Sequence, residues 1–182
     1  MEFAERKVRL KDGRTATLRA PRLSDAASLI EYVKRIAGET RFLSQGPDEA
    51  LFTLEQEEEF LRDRINASRG AMIVAEVDGD IAGSCVFAGL NAKRRLAHRC
   101  VFEIALYQKY CGLGLGRGLM EYALEMAKNC GYEQIELEVV ADNERAIGLY
   151  KSAGFEIFGV HPHVLKYDDG RYADTLLMAK EL

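Results

Sequence analysis

The sequence predicts a fold of the α/β (α+β) class, with a mixed, mostly antiparallel central sheet flanked by helices on both faces. Apolar segments with strand periodicity alternate along the chain with segments of helical periodicity. A glycine-dense turn between a strand and a helix lies just beyond the middle of the chain. The 182 residues contain no repeat, linker or low-complexity segment, so we expect residues 1–182 to form a single domain.

The first half of the chain supplies strands and two helices. Ser24 and Asp25 are good N-cap residues for the first helix, and Gly38 marks its end. Thr53 and Gln56 form a capping box for the second. The predicted elements, in order, are a turn at 11–14, a strand at 15–19, a helix ending at 38, a loop at 39–51, a helix at 53–65, and a hairpin of strands 71–77 and 81–87.

The second half continues the alternation. Apolar residues at helical spacing follow the glycines, and Gly131 ends that helix. Asn143 lies where an N-cap residue is expected. The predicted elements are a strand at 98–106 after a basic loop at 93–95, a helix ending at 131, a strand at 135–140, a helix at 144–153, and a hairpin of strands 155–160 and 175–179 joined through 168–170.

Composition favours a cytoplasmic enzyme. The formal net charge of −4 gives no basic field for nucleic acid. The start of the chain does not resemble a signal peptide, and no apolar run reaches the roughly 18 residues of a membrane span. The four cysteines are scattered and there are three histidines, so we expect reduced thiols and no metal site.

The glycine run at 111–118, Cys-Gly-Leu-Gly-Leu-Gly-Arg-Gly, predicts a phosphate site. Successive backbone N–H groups at a helix N-terminus bind pyrophosphate, and Arg117 adds a positive charge. No glycine of the run is followed by lysine, which excludes a P-loop. The register also departs from the dinucleotide fingerprint, although Glu136 and Glu138 lie where a ribose-binding acid would be expected. A nicotinamide-dependent oxidoreductase therefore ranks below a protein that binds another phosphorylated cofactor.

The segment from 102 to 155 resembles the core of the GNAT superfamily of acyl-CoA-dependent N-acyltransferases. Gly114 and Gly116 match the glycines of its Gln/Arg-x-x-Gly-x-Gly/Ala motif. The second motif of the family is matched at full spacing by Asn143, Ala146, Tyr150, Gly154 and Phe155. One departure is Cys111, which stands at the Gln/Arg position. The resemblance covers roughly a third of the chain closely and implies a GNAT-like fold with acetyl-CoA as cosubstrate and no metal.

The resemblance also implies roles for individual residues. Main-chain groups of strand 98–106 would contact the pantetheine, an amide near Leu106 would polarise the acetyl carbonyl, and Tyr150 would face the sulfur as general acid. The cofactor-binding residues expected are Ile104, Leu106, Gly112, Leu113, Gly114, Leu115, Gly116, Arg117, Gly118, Asn143 and Tyr150.

The base that takes the proton of the amine remains open among Glu103, Glu138 and bulk solvent. Glu103 lies on the central strand, and Glu138 lies twelve residues before Tyr150, where protein N-terminus acetyltransferases of the superfamily have a glutamate. We expect acetyl transfer to a small-molecule amine, a polyamine, or a protein or peptide amine. The alternative is a non-catalytic acyl-CoA-binding or regulatory module. Neither nucleic acid nor a membrane is expected as a partner, and a homodimer is left open.

Overall fold

The computed structural model describes residues 3–46, 48–49 and 52–182, and their strands form one eight-stranded sheet. The order across the sheet is β1-β2-β3-β4-β5-β6-β8-β7. The strands are β1 Arg6–Arg9, β2 Thr15–Arg19, β3 Gly70–Val77, β4 Asp80–Gly89, β5 Arg99–Leu106, β6 Gln134–Val140, β7 Glu156–Lys166 and β8 Tyr172–Glu181. Every adjacent pair is antiparallel except β5 and β6, which confirms the predicted mixed, mostly antiparallel sheet.

The β5–β6 pair is the point at which the sheet opens. The two strands pair only over Arg99–Val101 and Gln134–Glu136. Beyond these residues β5 continues to Leu106 and β6 to Val140 without pairing to each other. Arg99 holds the junction, because its guanidinium bonds both carboxylate oxygens of the buried Glu136 at 2.5 and 2.7 Å. The result is a wedge between two strands near the middle of the sheet.

Four α-helices cover the sheet on its two faces. On β4, Ser84 lies towards Tyr32 of the first helix, while the thiol of Cys85 bonds the carbonyl of Leu119 in the third. Consecutive strand residues point to opposite faces, so these helices lie on opposite sides of the sheet. The helices are α1 Ala26–Glu39, α2 Leu54–Asn66, α3 Leu115–Asn129 and α4 Glu144–Ser152. None of these helices has both the length and the apolar content that crossing a membrane requires, within the part of the chain described.

Local sequence signals predicted several elements closely. Thr53 and Gln56 make both bonds of the predicted capping box at the start of α2. The β3–β4 turn consists of Asp78 and Gly79, both with positive φ, as a two-residue hairpin requires. In the predicted 39–51 loop, Pro47, Ala50 and Leu51 lie outside the described residues.

Other elements differ from the prediction. The sequence reading missed β1, and it made the closing hairpin too short, because β7 and β8 span eleven and ten residues. β1 has few apolar residues, and it is held by contacts from α3. Arg6 lies 4.0 Å from the ring centroid of Tyr122 and bonds Glu125 at 2.8 and 2.9 Å, while Val8 packs on Gly118.

Asp25 precedes α1 as predicted, but its carboxylate makes no cap bond to that helix. It accepts bonds from the guanidinium of Arg19 at 2.8 and 3.0 Å and from the amide of Arg22 at 2.7 Å. Burial pushes the pKa of Asp25 up, but Arg19 and the Arg22 amide outweigh burial, so the pKa falls below its usual 3.8. Arg19 also bonds Glu76, which joins α1 to β2 and β3.

We expect Asp25→Asn to lower the free energy of unfolding by about 1.5–3 kcal/mol at neutral pH, the usual size for hydrogen bonds to a charged group. The pKa of Asp25 is lower in the folded than in the unfolded protein. Its contribution to stability is therefore complete above about pH 3.8, the unfolded value, and is lost as the pH falls through the folded pKa. Urea unfolding at pH 7 and near pH 3 measures both effects. Asp12→Asn, which breaks an exposed ion pair with Arg14, is the control and should change little. Equal stability of Asp25→Asn and the parent protein at pH 7 would contradict the prediction.

Candidate active site

The wedge between β5 and β6 is a cleft of about 1240 Å³. Its walls come from both splayed strands, the glycine loop before α3, the start of α4 and the segment after α1. Nearly all the site residues predicted from the sequence line it: Glu103, Ile104, Leu106, Gly112, Gly114, Gly116, Arg117, Glu138, Asn143 and Tyr150. Leu113, Leu115 and Gly118 do not.

The glycine loop presents free amides to this cleft. Gly112 has φ of 79° and Gly114, the N-cap residue of α3, has φ of 92°, a region that L side chains rarely adopt. The Gly118 amide makes the first bond of the helix, to the carbonyl of Gly114. The amides of Gly116 and Arg117, which line the cleft, therefore have no acceptor within the helix. They lie at the positive end of the helix dipole, a position that suits an anion.

The remaining glycines of the run have another role, which is packing. A Cβ on Gly118 would lie 2.9 Å from Val8, and one on Gly116 would lie 3.3 Å from Leu149. Gly118 thus admits β1 against α3, and its amide is bonded within the helix. Its predicted contact with the phosphate stays a prediction. Leu115 is fully buried and does not line the cleft, so the amides exposed to a ligand are those of the following residues.

Positive charge lines the cleft at the glycine loop and at the start of α4. Lys11, Arg117 and Arg145 supply it, and the amide of Lys11 bonds the carbonyl of Leu113 at 3.0 Å. The turn before β2 is thereby fastened to the glycine loop. Cys111, which stands at the Gln/Arg position of the family motif, also lines the cleft. Cations and free amides in one cleft suit a phosphorylated ligand.

Tyr150 lies on the last turn of α4 and is 7% exposed. Phe102 and Phe155 pack edge-on against its ring, at centroid distances of 6.4 and 5.9 Å. Burial, with a smaller effect of the Cys85 thiol, raises the pKa of Tyr150 to about 12. No hydrogen bond among the described residues involves its hydroxyl, so a protonated phenol in the cleft is free to donate.

Asn143 is the N-cap residue of α4, as predicted. Its side-chain oxygen accepts the amide of Ala146 at 3.3 Å, so it starts the helix that carries Tyr150. Asn143 also lines the cleft.

The end of β5 is fastened to α1. Glu39 accepts the amide of Gln108 at 2.7 Å, and the Gln108 side chain donates to the Glu39 carbonyl at 3.0 Å. The buried Tyr32 hydroxyl donates to the carbonyl of Ala105 at 2.7 Å. These bonds hold Leu106, whose amide the resemblance places at the acetyl carbonyl, between two fixed neighbours.

The carboxylates of the cleft differ in their surroundings. The charge of Glu136 is neutralised by Arg99 where β5 and β6 still pair, at the closed end of the cleft. Glu103, on β5, is exposed and makes no hydrogen bond or ion pair among the described residues. Glu138, on β6, accepts the hydroxyl of Thr175, and its Oε1 lies 3.2 Å from Nδ1 of His161.

The far end of the cleft is bounded by two loops. The segment after α1 contributes Phe42 and Leu43, and the loop after β6 contributes Asp142. Arg41 joins the loops, since its Nη2 lies 2.5 Å from the Asp142 carboxylate. The apolar Val164 and Leu165 from β7 complete this end.

The sequence did not predict three of these features. They are the two hydrogen bonds between Glu39 and Gln108, the ion pair of Arg41 and Asp142, and the contact of His161 with Glu138. Their partners are 69, 101 and 23 residues apart in the chain. No spacing rule reaches so far. Only the predicted antiparallel pairing of the last two strands gave a partial signal, because it places β7 side chains beside those of β8.

The site fits an acyl-CoA. Free amides and cations at one end can hold a pyrophosphate, the unpaired strand edges offer main-chain groups to an elongated ligand, and Tyr150 holds a proton between them. Among residues 3–46, 48–49 and 52–182 no group of three or more His, Cys, Asp or Glu side chains is placed to bind a metal ion. The fold and site together define the class of acyl-CoA-dependent acyltransferases.

Comparison with known proteins agrees with this class. Residues 31–155 match the sequence model of the "Acetyltransferase (GNAT) family". The N-alpha-acetyltransferase of Sulfurisphaera tokodaii is 31% identical over the full length of both chains. The L-amino acid N-acetyltransferase AaaT of Escherichia coli is 34% identical over 59% of this chain and 66% of its own. A GNAT acetyltransferase from Streptococcus pneumoniae superposes with a TM-score of 0.87 at 30% identity, covering 92% of this chain and 99% of that one.

The chain therefore belongs to the GNAT family of acetyltransferases. It is an acetyl-CoA-dependent enzyme that transfers an acyl group to an amine, which confirms the resemblance found in the sequence. The prediction of an enzyme thus holds against the alternative of a binding module.

Proposed function

We propose that this enzyme acetylates the α-amino group of a peptide or protein N-terminus. The observation that carries the proposal is the charge pattern of the cleft. Its described basic lining residues, Lys11, Arg117 and Arg145, lie at the glycine loop and the helix N-termini. Glu103 and Glu138 stand on the facing strands, and Arg41 at the far end is already paired with Asp142.

This pattern disfavours free amino acids as acceptors. A free amino acid has a carboxylate next to its amine, and that carboxylate would face Glu103 and Glu138 without an available cation. Like charges brought together cost several kcal/mol. In a peptide the same carbonyl is an uncharged amide, so an N-terminal ammonium brings only the positive charge that the two acids attract.

The far end of the cleft suits the rest of a peptide. Phe42 and Leu43 on one side face Val164 and Leu165 on the other, and these apolar side chains are partly exposed. They can contact the first side chains of an acceptor peptide. The name of the full-length relative, N-alpha-acetyltransferase, supports the same acceptor. An E. coli [ribosomal protein bS18]-alanine N-acetyltransferase, 37% identical over 43% of this chain and 53% of its own, also supports it.

In this proposal the chain positions groups and moves protons. Acetyl-CoA supplies a thioester whose acetyl group passes to the amine with release of the CoA thiol. The amides of Gly116 and Arg117 hold the pyrophosphate, and the Leu106 amide polarises the acetyl carbonyl. Glu138 takes one proton from the acceptor ammonium before attack, and Tyr150 gives its proton to the departing thiolate. The second proton that the nitrogen loses on forming the amide restores the phenol.

The test compares two acceptors that carry the same α-amino group, one as a peptide amide and one as a free amino acid. We expect a short peptide amide beginning with alanine to exceed free alanine in kcat/KM by at least about a hundredfold, from the charge argument above. Release of free thiol and mass spectrometry of the product measure the reaction. A peptide blocked at its N-terminus but containing lysine is the control. Preference for free alanine, or for the lysine of the blocked peptide, would overturn the proposed acceptor.

A further inference from the structure

Three neighbouring strands place a small polar cluster at the edge of the cleft. Glu138 on β6, Thr175 on β8 and His161 on β7 share one face, since Thr175 pairs with His161 in the β7–β8 register. The Thr175 hydroxyl donates to Oε1 of Glu138, and Nδ1 of His161 lies 3.2 Å from the same oxygen. Among the described residues no contact falls on Oε2. One carboxylate oxygen is therefore held and the other is available.

We propose that His161 and Thr175 are positioning residues that fix Glu138 as the base of the reaction. The inference rests on the proposed function, because it assumes that Glu138 receives the acceptor proton. With Oε1 held by two donors, Oε2 is directed to the acceptor amine. The ammonium N–H bond breaks, an O–H bond forms at Oε2, and the proton then leaves to water. Glu138 is 42% exposed, so it has direct access to solvent for that step.

The contrast with Glu103 shows why this cluster matters. Glu103 also lines the cleft, but no described residue bonds its carboxylate. A general base works best when a further group orients it, and a free side chain loses conformational entropy each time it adopts the reactive position. Of the two candidate carboxylates left open by the sequence, Glu138 is the one whose geometry the fold fixes.

Two variants of His161 separate its roles. His161→Ala removes the donor, and His161→Asn keeps a side-chain N–H that can replace Nδ1–H. At pH 8 we expect His161→Ala to lower kcat for the peptide acceptor about tenfold, the size of one hydrogen bond to a charged group. His161→Asn should recover most of this loss, and KM for acetyl-CoA should be unchanged in both. Thr175→Val and Thr175→Ser give the same comparison for the second donor.

Recovery of kcat by asparagine is a readout that loss of packing would not give, because asparagine restores the N–H donor and not the ring. His163→Asn is the matched control, since His163 lies on the same strand, stacks near Tyr172 and has a positive φ that asparagine tolerates. It should keep the parent kcat.

The outcomes separate the inference from the function on which it rests. Equal loss in His161→Ala and His161→Asn would overturn the positioning role. Full activity of Glu138→Gln together with a large loss in Glu103→Gln would overturn it as well, while peptide acetylation itself would still stand. If the parent enzyme acetylated some other amine and no peptide, the proposed acceptor would fail. The His161 variants measured with that amine would then still decide the role of the cluster.

Discussion

Replacement of Tyr150 by phenylalanine is expected to lower kcat about a hundredfold or more, the usual contribution of a general acid. The variant keeps the ring, so the edge contacts with Phe102 and Phe155 remain. It loses the phenolic proton of Tyr150, whose hydroxyl has no hydrogen-bond partner among the described residues. Steady-state kinetics with a saturating acceptor gives kcat, and calorimetry gives the affinity for CoA, which should barely change.

The pKa of Tyr150 adds a second expectation. Burial raises it to about 12, so the phenol stays protonated through the alkaline range in which an ordinary tyrosine ionises near 10. The kcat profile should therefore show no loss of the acid near pH 10. Tyr132→Phe is the control, because it also removes a buried hydroxyl, one that donates to the carbonyl of Arg69 away from the cleft. Turnover of Tyr150→Phe near the parent value would make Tyr150 a packing residue.

Replacement of Gly114 by valine is expected to weaken CoA binding by more than about a hundredfold. A Cβ at this position meets no protein atom within 4 Å, so the side chain would extend into the space in front of the free amides. Loss of two amide contacts to a charged phosphate, at about 1.5 kcal/mol each, accounts for that factor. In the parent protein, CoA at a hundred times its dissociation constant should add about 2.7 kcal/mol to the free energy of unfolding. Gly114→Val should lose this gain.

The control must carry the same backbone strain without touching the ligand. Gly131 has a φ of 76°, follows α3 at its other end, and also leaves open space for a Cβ. Gly131→Val should thus lose about 1–2 kcal/mol of stability, as Gly114→Val does, and keep its affinity for CoA. A folded Gly114→Val that binds CoA as tightly as Gly131→Val would show that the loop is not the phosphate site.

The features that the sequence determined by itself are those set by interactions within a few residues. The capping box of α2 depends on Thr53 and Gln56, and the β3–β4 turn on the positive φ of Asp78 and Gly79. The glycine loop and the spacing from Asn143 to Phe155 belong to the same kind. Each corresponds to a local backbone conformation, such as a tight turn or the start of a helix, that the residues at that place specify directly. The class of cofactor could therefore be predicted, as could the position of Tyr150.

The features decided by tertiary structure depend on distant partners. β1 pairs with β2 and is contacted from α3, where Tyr122 and Glu125 meet Arg6, and a stretch of four residues cannot show these partners in its own pattern. The four glycines of the loop look alike in sequence, yet two have positive φ and two admit packing neighbours.

The cleft and the surroundings of its carboxylates are decided in the same way. β5 and β6 separate after three paired residues, next to the ion pair of Arg99 and Glu136. β8 lies between β6 and β7, and this order brings Thr175 and His161 to Glu138 from 37 and 23 residues away. Strand order and register determine which side chains meet, and both are set by the packing of the whole sheet. The sequence therefore left the base open among Glu103, Glu138 and solvent, and only the folded sheet distinguishes the carboxylate that is held from the one that is free.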